Sequence, residues 1–202
     1  MEECGSVDGH PVTAAHLRAP LADLDALCPG GLQAPAGGTL DVSLVDPVTG
    51  ALRATVTRAE LGRLARRGCS THPDSDCECS LIGQPPRVDR YEPTPAQRRW
   101  VKARDRGCRH PGCRRPAAHT DLDHVIPHSA GGHTECANLC CLCRRHHRMK
   151  THARGWQYAM TPDGVLSVTT PSGVTRTTRP PGTAPPDEPG TPTLAADDPP
   201  PF

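Results

Sequence analysis

The chain has 202 residues, a formal net charge of +1 and only two Trp, two Tyr and one Phe. Its length allows one domain or two small ones; with Leu, Ile, Val and Phe at about 15% it cannot all be core, yet so small a net charge argues against wholesale disorder. No apolar run approaches the roughly 20 residues needed to cross a bilayer, and the segment after Met1 lacks the apolar stretch of a secretory signal, so the reading is a cytoplasmic protein without a membrane part.

From the N-terminus, Leu17, Leu21, Leu24 and Leu27 recur at helical spacing over residues 12–27, predicting a helix interrupted or restarted at Pro20. Over residues 37–56 the pattern changes to alternation, with Leu40, Val42 and Leu44 before an Asp46 to Gly50 turn and Leu52, Thr55 and Val56 after it. That is a β-hairpin. Thr57 followed by Glu60 marks a capped, basic helix through Arg67. Cys69, His72, Cys77 and Cys79 then share a loop whose spacing matches no strong zinc pattern.

Thr94, Pro95 and Gln97 mark a second helix, Pro95 to about Asp105, with Trp100 as a packing anchor. Past Gly155, residues 156–160 and 165–169 alternate around Pro162, Asp163 and Gly164, predicting a hairpin. From Thr177 onward Pro, Gly, Thr and Asp dominate, which predicts a disordered tail. The organisation read from these signals is an N-terminal α/β remnant (1–90), a central module (91–155), a hairpin (156–176) and the tail (177–202).

The central module carries the chemistry. Eleven Cys and eleven His in so aromatic-poor a chain point to metal as the staple. Their odd number and their placement beside His favour ligation over disulfides. Cys108 and Cys113 on one side, Cys143 and His146 on the other, have the spacing of two zinc knuckles, a closed structural site of three sulfurs and one nitrogen. Cys140 and Cys141 are read as packing residues, with either able to replace Cys143.

Asp123, His124, Asn138 and His147 remain without a zinc role. Phosphodiester hydrolysis needs a base for water, a cation for the phosphate charge and a group to hold the base, and these four types can supply all three. Asp123 and His124 are neighbours on an apolar strand, so a bulge or twist would be needed to turn both toward one site. Between Arg98 and Arg154 there are thirteen Lys or Arg against four Asp or Glu, the footprint of a polyanion partner. Arg98, Arg99, Arg144, Arg145, Arg148 and Lys150 are the candidate phosphate contacts.

Asp123-His124, then Gly131-Gly132, then Asn138-Leu139, then Cys143, His146, His147 and Lys150 together resemble the zinc-knuckled HNH endonuclease motif. The resemblance extends to bacterial HNH proteins with a long preceding domain of unknown function, through the Ala96 to Arg99 helix start and the Cys108 to Cys113 turn. It implies an α+β fold of the ββα-metal kind and hydrolysis of DNA with low sequence specificity, RNA being left open. His124 would be the general base, Asp123 and His147 would bind one divalent cation (Mg²⁺, or Mn²⁺ or Ni²⁺), and Asn138 would orient the loop and His124. Gly131 and Gly132 are read as turn glycines needing positive φ. The chain departs from the family where some members carry a second His four residues after the last one. Thr151 stands there, and His152 is one residue out of register. Two rival readings are a zinc-stabilised nucleic-acid-binding module without catalysis and an inactive fragment of a larger enzyme.

Overall fold

A computed structural model describes residues 6–7, 10–11, 18, 22, 40–69, 71–72 and 81–183. The leucines of the helix expected over 12–27 lie outside these residues, as do Cys77, Cys79 and the tail from residue 184. The described part is mixed α/β, with small antiparallel sheets and three α-helices.

The first hairpin pairs β1 (Asp41–Val45) with β2 (Leu52–Thr57), Val42 opposite Val56. Its turn is built on Asp46, whose Oδ1 accepts from the amides of Val48 (3.0 Å) and Thr49 (2.7 Å) while Arg53 binds Oδ2 at 2.6 Å. Helix α1 (Arg58–Arg67) follows at once behind the Thr57–Glu60 capping box, a reciprocal bond pair whose cap contributes about 1 kcal/mol. Val56, Leu61 and Ala65 close a small core between hairpin and helix.

Helix α2 (Pro95–Asp105) starts as the sequence predicts, with Thr94 and Gln97 forming the box and Pro95 in the first turn. It packs on β2, and Arg99 reaches Glu60 at 3.2 Å and Asp41 at 3.7 Å. The described part of the N-terminal segment is therefore held on the module by the packing of α2 on β2 and by these ion pairs. On its other side Trp100 and Val101 pack with Cys136, Leu139 and Cys141.

Strands β3 (Asp121–His124) and β4 (Leu139–Leu142) form the central hairpin, and α3 (Arg144–His152) leaves β4 after a single residue, Cys143. The C-terminal sheet is larger than the hairpin the sequence suggested. To β5 (Gln157–Met160) and β6 (Leu166–Thr169) it adds β7 (Thr175–Thr178), which runs into the segment expected to be disordered. Alternation is weak in β7, whose residues are mostly exposed. It is held by its ladder to β6 and by Arg109, whose Nη2 donates to the carbonyls of Gly164 (2.8 Å) and Thr178 (2.7 Å).

A buried ionic knot ties these parts together. Asp105 Oδ1 takes Arg104 Nε at 2.7 Å and Arg109 Nη1 at 2.8 Å, and its Oδ2 accepts the Cys141 amide at 2.8 Å. Arg104 also donates to the carbonyls of Cys136 and Leu139. Buried charges are tolerable when paired and hydrogen-bonded in this way.

Candidate metal centres

Cys108, Cys113, Cys143 and His146 come together as their spacing predicts, with all four ligand atoms within 4.8 Å of one another. His146 Nδ1 lies 3.4 Å from Cys108 Sγ and 3.3 Å from Cys143 Sγ. Ligands about 2.0–2.3 Å from a tetrahedral zinc are about 3.3–3.8 Å apart, so the set fits that ion. Cys140 and Cys141 are not in the ligand group; both are fully buried packing residues, Cys140 against Cys108 and Cys143 and Cys141 against Trp100 and Leu139. Cys108, Cys113, Cys136, Cys140, Cys141 and Cys143 are free thiols.

Burial and the neighbouring dipoles set the ionisation of these groups. Burial pushes the Cys108 thiol up to about 12. Burial also opposes ionisation of Cys143, but the His146 amide and the thiols of Cys108 and Cys113 outweigh it and hold Cys143 below its ordinary value. Burial, then Arg145, lowers His146, which keeps the imidazole neutral as a ligand must be. His110 stacks on His146 at 3.9 Å and meets the Tyr158 hydroxyl at 3.1 Å, so it braces the ligand.

The second group forms where β3 meets α3. Asp121 and Asp123 are two apart on a strand and share a face. His147 lies between them, Nδ1 3.1 Å from Asp121 Oδ2 and Nε2 3.4 Å from Asp123 Oδ1. Asp123 is buried, and its Oδ2 has no hydrogen-bond partner although Lys150 Nζ is 2.9 Å away. The oxygen that faces His147 is thus Oδ1, while Oδ2 faces the Lys150 ammonium.

His124 occupies the other side of the strand end. The β3–β4 register runs through Asp123 and His124 without a bulge, and successive residues of a regular strand point to opposite faces. Its Nε2 is 2.8 Å from Thr134 Oγ1, and its ring stacks on Tyr91 with centroids 5.3 Å apart. Burial, then His128, lowers its basicity below the ordinary histidine value.

Among the described residues the Asn138 side chain makes no hydrogen bond to the His124 ring. Its Oδ1 accepts the Ile126 amide (2.8 Å), and its Nδ2 donates to the carbonyls of Ile126 (3.0 Å) and His133 (2.9 Å). It clamps the loop that follows His124, as the loop-holding half of its expected role requires. The glycines divide: Gly131 has φ 86°, whereas Gly132 lies where a Cβ would overlap the Ile126 carbonyl and crowd Asn138.

Of the expected phosphate contacts, Arg144, Arg145 and Arg148 are exposed on α3. Arg144, Arg148, His147, Thr151 and His152 line a basic recess of about 390 Å³ beside the second group. Arg98 is exposed and donates to the Pro93 carbonyl. Two expectations need correction. Arg99 faces Glu60 and Asp41, and Lys150 points inward, bonding the His124 carbonyl at 2.7 Å as well as pairing with Asp123.

Sequence reasoning gave no role to Asp121, Thr134 or Tyr91. The period-two relation to Asp123 could have found Asp121; no local signal marks the other two.

No family model and no solved structure matches the chain. It is similar to two uncharacterized proteins of Mycobacterium tuberculosis, Rv3776 and Rv2100, each 43% identical over 76 residues. Each match covers 38% of this chain and 14% of the relative. A third, uncharacterized protein Rv1148c of the same organism, is 38% identical over 64 residues, 32% of this chain and 14% of that protein. The chain thus matches about one seventh of the length of these curated relatives. No described helix is long and apolar enough to cross a membrane.

Proposed function

We propose that the chain is a metal-dependent endonuclease of the HNH type, a ββα-metal module braced by a structural zinc, that hydrolyses DNA with little sequence preference. The observation carrying this reading is the strand–loop–strand–helix run of residues 121–152. In it Asp123 and His147 offer ligand atoms 3.4 Å apart, and His124 stands at the adjoining strand end.

Asp123 and His147 would hold the divalent cation, which when bound supplies positive charge to the phosphate and to the leaving oxygen. His124, kept neutral by burial, takes a proton from water as the water oxygen bonds to phosphorus and the bond from phosphorus to the departing sugar oxygen breaks. The reacting phosphate would straddle the end of β3, since Asp123 and His124 leave the strand on opposite faces. Arg144, Arg145 and Arg148 hold neighbouring phosphates, which makes binding salt-dependent. Magnesium suits a site with two protein ligands and several waters, and manganese or nickel could replace it.

A second reading is favoured by one observation. Lys150 already sets a positive charge beside Asp123, as a nucleic-acid-binding module without catalysis would allow. Plasmid cleavage decides between them: wild type beside His124→Ala, in EDTA and then with Mg²⁺, Mn²⁺ or Ni²⁺. Metal-dependent nicking lost in the variant supports the nuclease. Binding to DNA without cutting under any of these metals would leave the binding module.

A further inference from the structure

A neutral imidazole carries one N–H and one lone pair, so a histidine serves as a base only through the nitrogen left unprotonated. For His124 the neighbours of the ring bear on which nitrogen that is. Nε2 lies 2.8 Å from Thr134 Oγ1. The single hydroxyl hydrogen of Thr134 has an acceptor of its own, the Tyr91 carbonyl at 3.3 Å. With that hydrogen directed at Tyr91, the hydroxyl oxygen can only accept from His124, which places the ring proton on Nε2 and the lone pair on Nδ1. Nδ1 makes no hydrogen bond among the described residues and is not sealed away as a buried, unpartnered atom.

Thr134 is itself fixed. It is 1% exposed, and its carbonyl accepts from Gln97 Nε2 at 2.9 Å and from the Val88 amide at 3.1 Å. Gln97 also closes the capping box of α2, so the Thr134 backbone that carries the hydroxyl is anchored to that helix. Asn138, the residue expected to orient His124, bonds only to the loop beyond it.

We infer that Thr134 is a positioning residue that holds the His124 proton on Nε2 and presents the Nδ1 lone pair to the attacking water. This rests on the nuclease reading for its use, but the protonation pattern is measurable without any activity.

The experiment is nitrogen NMR of the histidine side chains in the zinc-loaded full chain, assigned with His124→Gln, for wild type, Thr134→Val and Thr134→Ser. Turnover of a duplex oligonucleotide with Mg²⁺ is followed in parallel. The wild type and Thr134→Ser are expected to carry the His124 proton on Nε2, and Thr134→Val to show a mixture of the two tautomers. Its kcat should fall by about 10- to 100-fold with KM within about twofold, and Thr134→Ser should recover most of the loss. A wild-type proton on Nδ1 overturns the assignment, as does a Thr134→Val protein that keeps both the tautomer and kcat, or a Thr134→Ser protein as impaired as the valine variant. Should the valine variant not fold, the wild-type tautomer decides alone. A wild type inert on DNA with its proton on Nε2 would count against the nuclease reading and still support the role of Thr134 in holding the ring.

Discussion

Asp121 Oδ2 lies 3.1 Å from Nδ1 of His147, whose other nitrogen faces Asp123. A carboxylate on one imidazole nitrogen fixes the proton there and leaves the other as a lone pair, the usual outer support of a metal-binding histidine. Asp121→Asn should therefore weaken Mn²⁺ binding at Asp123 and His147 by about 10- to 100-fold while leaving the zinc content unchanged. Manganese titration followed by electron paramagnetic resonance reads the first, and elemental analysis the second. Unaltered manganese affinity would leave Asp121 as an ordinary surface partner of Arg144.

The cluster of Cys108, Cys113, Cys143 and His146 predicts one bound zinc at this site. Cys113→Ser removes a sulfur without adding bulk and should release the metal. Loss of about 5 kcal/mol or more of metal-linked stability corresponds to a fall in Tm of about 10–20 °C for a chain of this size. Calorimetry with and without a chelator measures it, and a chelator-treated wild type should match the variant.

Asp105 holds two arginines that are themselves nearly sealed from solvent, with side-chain exposures of 4% and 2%. Removing it strands both charges, so Asp105→Ala should cost about 3–5 kcal/mol in urea unfolding. Its effect should exceed that of Glu60→Ala, whose partner Arg99 is better able to return to water.

The basic residues divide by direction. Arg145→Ala and Arg148→Ala should each reduce the slope of log affinity against log salt by about one. Arg99→Ala should leave that slope unchanged, because its guanidinium faces Glu60 and Asp41. Fluorescence anisotropy with labelled duplex at several salt concentrations separates the two sets.

Acid should act on the first hairpin through Asp46, whose carboxyl is held well below the usual range by Arg53 first and by the Thr49 amide next. A depressed folded value means that the stabilisation is fully present above about pH 4, the ordinary carboxylate value, and is lost as pH falls through the depressed one. Asn at this position keeps an acceptor for the turn amides but loses the charge. The Tm difference between wild type and Asp46→Asn should be largest near neutrality and should shrink once the solution is acidic enough to protonate Asp46 in the folded protein.

Sequence alone determined what depends on near neighbours. The two capping boxes set the starts of α1 and α2 because each cap bonds an amide three residues away. The Asp46 turn set the first hairpin for the same reason, and the zinc-type cluster was legible because the two residues of each knuckle are close in the chain. The tertiary structure decided what depends on distant ones. Lys150 and Arg99 look like any basic residue until folding sets Asp123 beside one and Glu60 beside the other. Thr134 is an unremarked loop residue until β3 brings His124 to its hydroxyl, and β7 has too little apolar pattern to be seen without the ladder to β6 and the reach of Arg109. In each case the bond joins segments whose separation along the chain carries no information about their approach. Only the closing of the core around Asp105, Leu139 and Cys141 fixes those distances.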